Sequence, residues 1–394
     1  MVSTLMVLLS LAAPPAPRCL VSKPASAHLP DAVSVGKRFA ITWYEPSKKG
    51  ALEQVVRLLE PEGELVGSSA REATPEDGAS SVMGRLAFDG KRLGLGWVDD
   101  ASKQRTAHFR LLDATGAPTS PPVALTRQFL PHGDQIVVAW NAKLAAWGTV
   151  FTGTLPTERS GYVTHHQYFV HFKGEPGAPV QLDADESVAA SHNLSLLAKG
   201  GCFVTAWVSS STQHVVLGEV CDGAVQRRNV TSVPGRSPMQ PSLASNGDEV
   251  LVTWADEPAF KAAPAPSPAS KGAMPSQPFN APPPAARESD VFFALLDGKG
   301  AVKASGALPV TGLSQSPVAR FDGTRWWVIW AERREGREAA LAARLSPDGQ
   351  RQGEVITVSN GLTGPVWVAF AGQNVLISQP NETTCVLSWA PLPR

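Results

Sequence analysis

RLAFDGKRLGLGWVDDASKQRTAHFRLLDATGAPTSPPVALT (residues 85–126) reads as four short β runs separated by turn residues. RLAF passes through Asp89 and Gly90 into LGLGW, a polar loop leads to RTAHFRLL, and DATGAP turns the chain into PVALT. Apolar and β-forming runs punctuated by Gly, Asp and Pro predict an antiparallel meander. Its strands are called a, b, c and d in chain order.

The same unit recurs along the whole chain. Strand b, entered from a small turn, ends in SVGKRFAITW at Trp43, FDGKRLGLGW at Trp97, NAKLAAW at Trp147, AKGGCFVTAW at Trp207, SNGDEVLVTW at Trp254, FDGTRWWVIW at Trp330 and FAGQNVLISQ at Gln379. Strand c and its turn recur near Gly63, Gly223, Gly300 and Gly349, where glycine supplies the positive φ of a tight turn. Units of about 50 residues that stack their apolar faces predict an all-β, seven-bladed β-propeller of four-stranded antiparallel blades. The repeated Trp fills the wedge between neighbouring sheets. One interval is too long because it contains a Pro/Ala-rich insertion at about 258–288, which is expected to be disordered.

The seventh unit, VWVAFAG, NVLIS and TTCVLSW, stops short of strand d. An orphan strand, CLVSK at 19–23, precedes the first unit. Placing it on the outer edge of the last blade closes the ring and brings Cys19 beside Cys385. The other two cysteines, Cys202 and Cys221, face each other across the b–c hairpin of the fourth unit, where a disulfide can form.

Residues 1–18 contain the apolar run LMVLLSLAA and read as a signal peptide, too short to span a bilayer. Residues 19–394 then form one propeller domain. Two disulfides point to an oxidising compartment: secreted, periplasmic or cell surface. The 35 basic and 35 acidic side chains balance. That balance excludes nucleic acid as a generic partner, because no long-range field would attract it. No transmembrane span is expected, the chain is read as a monomer, and a protein or carbohydrate is the partner class.

The stretch FDGTRWWVIWAERREGREAALAARLSPDGQRQGEVITVS (321–359) resembles the repeat of secreted bacterial propeller proteins, many of them myxobacterial, that read DG-x-x-Φ-x-V-x-W-x-D. The resemblance covers nearly the whole chain from about position 30. It implies an extracytoplasmic repeat scaffold and brings no agreed catalytic residues. The Ser-x-Asp-x-Gly-x-Thr-Trp box of sialidase propellers is absent, since Gly directly follows Asp in FDGTRWW.

Candidate chemistry collects on the face of the b–c and d–a connections. Two positions after the blade Trp stand Glu45, Asp99, Asp256 and Glu332, with Thr149, Ser209 and Asn381 at the same place in other units. A rim of carboxylates suits Ca²⁺ or a hydrolytic acid/base pair; the alternative is solvated hairpin ends capping local amides. His28, His132 and His192 fall in d–a connections, and His165, His166 and His214 at the start of strand c. Of these, His132, His165, His166, His192 and His214 belong to the neighbouring third and fourth units and are the candidate ligands for a transition metal. No fixed ligand spacing supports that metal, and no cofactor is implied. Nucleophile-elbow, phosphate-loop, dinucleotide and zinc-protease motifs are all missing. The sequence therefore favours a non-catalytic binding scaffold, with a carbohydrate-active hydrolase or lyase at the channel mouth as the alternative.

Overall fold

In a computed structural model of the chain, the described residues are 17–22, 28–47, 50–72, 81–99, 106–125, 136–156, 163–183, 194–209, 212–230, 236–258, 289–362, 366–379 and 385–392. Most of the proposed signal peptide and all but the first residue of the Pro/Ala-rich insertion lie outside them. So do His132, His192 and Asn381, and the side chains of His28 and His165.

Every described strand belongs to one of seven four-stranded antiparallel sheets, and the described residues contain no helix. The first six blades are consecutive meanders. Blade 1 is His28–Val35, Arg38–Pro46, Leu52–Leu59 and Leu65–Glu72; blade 2 is Ser81–Phe88, Arg92–Asp99, Thr106–Asp113 and Val123–Ala124. Blade 3 is Ile136–Asn141, Ala146–Pro156, Val163–Phe172 and Val180–Gln181; blade 4 is Ser195–Lys199, Cys202–Val208, Val215–Cys221 and Ala224–Asn229. Blade 5 is Arg236–Ser245, Val250–Pro258, Asp290–Leu296 and Val302–Leu308; blade 6 is Leu313–Phe321, Trp326–Arg334, Arg337–Leu345 and Ile356–Leu362. Blade 7 takes Trp367–Ala371, Asn374–Ser378 and Cys385–Pro391 from the C-terminal end and Arg18–Ser22 from the N-terminal end.

That last sheet closes the ring. Arg18–Ser22 pairs antiparallel with Cys385–Pro391, and a Cys19–Cys385 disulfide joins positions 366 residues apart. Locking so long a loop is worth on the order of 5 kcal/mol in the chain-entropy model, often less in practice. Cys202 and Cys221 are direct cross-strand partners and form the second disulfide.

The hydrophobic interior divides into seven clusters, one at each interface between neighbouring blades. Period-2 alternation explains the division, because odd and even residues of a strand face opposite neighbours. Trp326, Val328 and Trp330 point toward blade 5, whereas Trp327, Ile329 and Ala331 point toward blade 7. Trp43, Trp97, Trp254 and Trp330 are each at most 3% exposed, as a wedge-filling ring must be.

Blade 3 departs from the expected alignment. Trp147 stands near the start of strand b, opposite Trp140, and Phe151 occupies the position that Trp holds elsewhere. Both rings lie in the blade 2/3 cluster, since residues i and i+4 of a strand share a face. Thr149 is therefore mid-strand and fully buried, bonding the Val170 carbonyl, and is not on the rim.

Candidate functional site

Strand a of blades 1, 2, 5 and 6 carries a bulge at its first turn. Register places residues 29–30 opposite Trp43, 83–84 opposite Trp97, 240–241 opposite Trp254 and 316–317 opposite Trp330, two residues against one. The second of each pair is Pro, or Gly in blade 2. Pro has no N–H to give a ladder and is accommodated at a bulge. Met83, Gln240 and Ser316 take the left-handed conformation, with φ of 60°, 53° and 51°. These four blades are also the ones with a carboxylate two residues after the Trp.

None of the four carboxylates is a solvated hairpin end. Glu45 and Asp99 are 9% and 6% exposed, and Asp256 and Glu332 are 0% exposed. In three blades the indole reaches its own blade's acid: Trp43 Nε1 donates to Glu45 Oε2 at 3.0 Å, Trp254 to Asp256 Oδ2 at 3.4 Å and Trp330 to Glu332 Oε2 at 3.1 Å. Residues i and i+2 on one strand face make this bond possible. Glu332 also accepts from Ser314 Oγ, from both N–H and Oγ1 of Thr311, and from Arg334 Nε. Burial alone would raise its pKa, but the bonds from Arg334, Trp330 and Thr311 outweigh it and hold the carboxyl below its ordinary range.

Blade 2 is arranged differently. Asp99 accepts from the Thr106 N–H at 3.0 Å and pairs with His108 Nε2 at 2.5 Å. The His108 ring stacks on Trp97 with centroids 5.2 Å apart, and the Trp97 N–H is buried without a partner. His108 was not a candidate from sequence; its significance comes from lying directly across from Trp97 in the b–c pairing. The same cross-strand position stacks Tyr168 on Phe151 and Phe292 on Trp254.

In blade 3 the acid position is Gly153, and His166 lies opposite it. The imidazole pairs with Asp183 Oδ2 at 3.1 Å, both groups being buried. Burial pushes the Asp183 carboxyl up to about 6, against the opposing pull of His166. Asp183 comes from the segment after strand d, so nothing in local spacing pointed to it. His214 is half-buried before strand c of blade 4, its Nδ1 without a partner. Ser209 is buried, and its hydroxyl oxygen accepts from the Thr212 N–H.

The structure brings His166 to an acid and places His214 in the next blade without an acid beside its Nδ1, while the other three candidate ligands lie outside the described side chains. Among the described residues, three His, Cys, Asp or Glu ligand atoms converge only at Cys202, Glu219 and Cys221, where both sulfurs are held in the disulfide. The rim acids belong to separate blades, and each has one oxygen accepting from an indole or imidazole of its own blade, a poor fit to the six to eight shared oxygens of Ca²⁺.

The propeller axis holds a cavity of about 230 Å³, lined by the inner strands of all seven blades. Its charged lining residues are Asp31 and Arg85, on adjacent blades. Asp31 Oδ2 accepts from the Leu86 N–H at 2.9 Å. Enclosure raises the Asp31 pKa, while Arg85 and that N–H pull it down less strongly. Burial pushes Tyr44, which also feels Arg85, up to about 12.

No family model matches the chain, and no curated protein does. Solved structures do match in fold. Oligogalacturonate lyase from Vibrio parahaemolyticus aligns at TM-score 0.53 and 10% identity over 94% of this chain and 92% of its own. An acylaminoacyl peptidase from Pyrococcus horikoshii aligns at TM-score 0.52 and 12% identity over 94% of this chain; the chain spans about half of that peptidase, 52%. The phage phi92 endosialidase aligns at TM-score 0.50 and 8% identity, over 96% of this chain and 69% of its own. At such identities the likeness is one of fold: the chain is a seven-bladed β-propeller.

Proposed function

We propose that this propeller is an extracytoplasmic binding scaffold that holds a carbohydrate or protein ligand at the axial mouth on the b–c and d–a face. The observation that carries the reading is the fate of the rim carboxylates. Each is buried, and each accepts from an indole or imidazole of its own blade, which makes it a strut for the wedge ring rather than a free acid or base. Two disulfides and the apolar N-terminal run support exposure outside the cytoplasm. No helix of the described residues is long and apolar enough to cross a membrane.

A second reading, a carbohydrate-active hydrolase, is favoured by one observation. Register sets Asp256 directly opposite Asp290 in blade 5. Cross-strand neighbours have Cβ atoms roughly 4.5–5.5 Å apart, which lets the two side chains reach the carboxyl spacing of about 5–5.5 Å that retaining glycosidases use. A polysaccharide panel assayed for both capture and new reducing ends separates the readings. Saturable capture without product is expected. Turnover that Asp290→Asn abolishes with the melting temperature unchanged overturns the scaffold in favour of the hydrolase.

A further inference from the structure

Equivalent positions on the seven inner strands form a collar around the axis, one residue per blade. Asp31, Arg85, Ser195, Ser242 and Trp367 are five of them, and all line the 230 Å³ cavity. The collar is built by a repeated bond in which the side chain of one blade accepts the next blade's inner-strand N–H. Asp31 takes the Leu86 N–H, Ser195 Oγ takes the Leu243 N–H at 2.8 Å and Ser242 Oγ takes the Ala319 N–H at 3.5 Å.

This bond determines what the serines can offer. With the oxygen already accepting, each hydroxyl has its proton left to donate, and neither finds an acceptor among the described residues. The collar thus lines the cavity with two serine hydroxyls, with Arg85, which also donates to the Gly84 carbonyl at 3.1 Å, and with a partly exposed Trp367. A second cavity of about 290 Å³, lined by blades 1, 6 and 7, shares Asp31 with the first and has Arg320 in its wall. Of the two guanidinium groups, Arg85 is the one that acts on the Asp31 carboxylate, while Arg320 donates to the Gly372 carbonyl. The volume lies below the roughly 300–1,000 Å³ of sites for larger ligands and suits one small ring.

We propose that the axial collar binds a single carboxylate-bearing sugar ring of the hexuronate class, its carboxylate on Arg85, its hydroxyls on Ser195 and Ser242, and its apolar face against Trp367. This rests on the binding-scaffold reading and names its ligand. An aromatic face beside a few convergent polar groups is the chemistry that orients a sugar, and a guanidinium is the group that selects a carboxylate.

The test is ligand-observed NMR titration of the full chain, both disulfides formed, with D-glucuronic acid and with D-glucose. Glucuronate is expected to bind about tenfold or more tightly than glucose, the equivalent of one retained charge contact. Arg85→Gln should bring glucuronate to the level of glucose. Trp367→Ala should weaken both sugars. Asp31→Asn keeps the acceptor for the Leu86 N–H but removes the opposing charge, and should tighten glucuronate several-fold. A merely structural role for the collar predicts no such gain. Equal binding of the two sugars, a preference that survives Arg85→Gln, or weaker glucuronate binding in Asp31→Asn each overturns the proposal. If neither sugar binds but a longer glycan is captured, the single-ring collar is wrong and the scaffold reading stands; if no glycan or protein ligand is captured at all, the scaffold reading falls with it.

Discussion

Blades 6 and 2 carry the same Trp-x-carboxylate pair and use it in opposite ways. In blade 6 a fully buried Glu332 collects five hydrogen bonds, including the indole of Trp330. In blade 2 Asp99 turns to His108, and the indole of Trp97 is left buried without an acceptor. The residue across the b–c ladder decides between them. Leu341 faces Trp330 and cannot compete for the acid, whereas His108 faces Trp97 and can. A repeat motif therefore fixes where a carboxylate sits and leaves its chemistry to the cross-strand neighbour.

The largest effect should follow from breaking the blade 6 arrangement. Glu332→Ala strands an indole, two hydroxyls, an amide and a guanidinium that now share one acceptor group, and should cost about 3 kcal/mol or more. Urea unfolding monitored by tryptophan fluorescence measures it. A loss below about 1 kcal/mol would show that the wedge is held by packing alone. Because the Glu332 carboxyl is held below its ordinary pKa, its contribution is present above the unfolded-state value near 4.3 and disappears as pH falls through the native value.

Blade 3 gives the opposite slope. There the acid has left strand b, and Asp183, raised to about 6, binds its proton more tightly folded than unfolded. Between roughly pH 4 and 6 the native state holds the extra proton, so stability should rise as pH falls through that window, by at most about 1.4 kcal/mol per pH unit. The titration belongs to the Asp183–His166 pair rather than to one group. Asp183→Asn should flatten the 4–6 window and leave the loss below pH 4 intact. Urea midpoints taken across pH 3–8 test this, and an unchanged slope in the variant would remove Asp183 from the account.

How much of this was legible follows from the range of each signal. The repeat needs only alternation and turn glycines, so the blades, the wedge Trp of most units and the Cys202–Cys221 pair could be read from neighbouring residues. The closure by CLVSK, and with it the Cys19–Cys385 pair, followed from counting strands. Trp147 was misplaced because strand b of blade 3 presents two aromatics, at 147 and 151, of the same parity, and alternation cannot tell one end of a strand from the other. The bulges had a local signal that went unread: LPD, QPS and SPV put Pro inside a strand, where only a bulge or an edge tolerates it. His108 and Asp183 had none, because their partners are set by hairpin register across loops of unpredictable length.

The smallest effect is the most specific. His108→Leu should convert blade 2 into the blade 6 arrangement, since Leu already occupies that place opposite Trp330. The imidazole–carboxylate bond and the stacked ring are lost, but Asp99 becomes free to take the Trp97 N–H that is now unpartnered. One bond replaces another, so the net cost should be about 1 kcal/mol or less. The Trp97 indole N–H should shift downfield in the NMR spectrum and exchange more slowly with solvent. In the same background Asp99→Ala should then cost more than it does in the parent, because it would strand the indole that Asp99 had just acquired. If the indole signal does not move, or the single change costs several kcal/mol, the carboxylate of blade 2 is committed to His108 by more than its cross-strand neighbour, and the two blades are different devices that share a sequence motif.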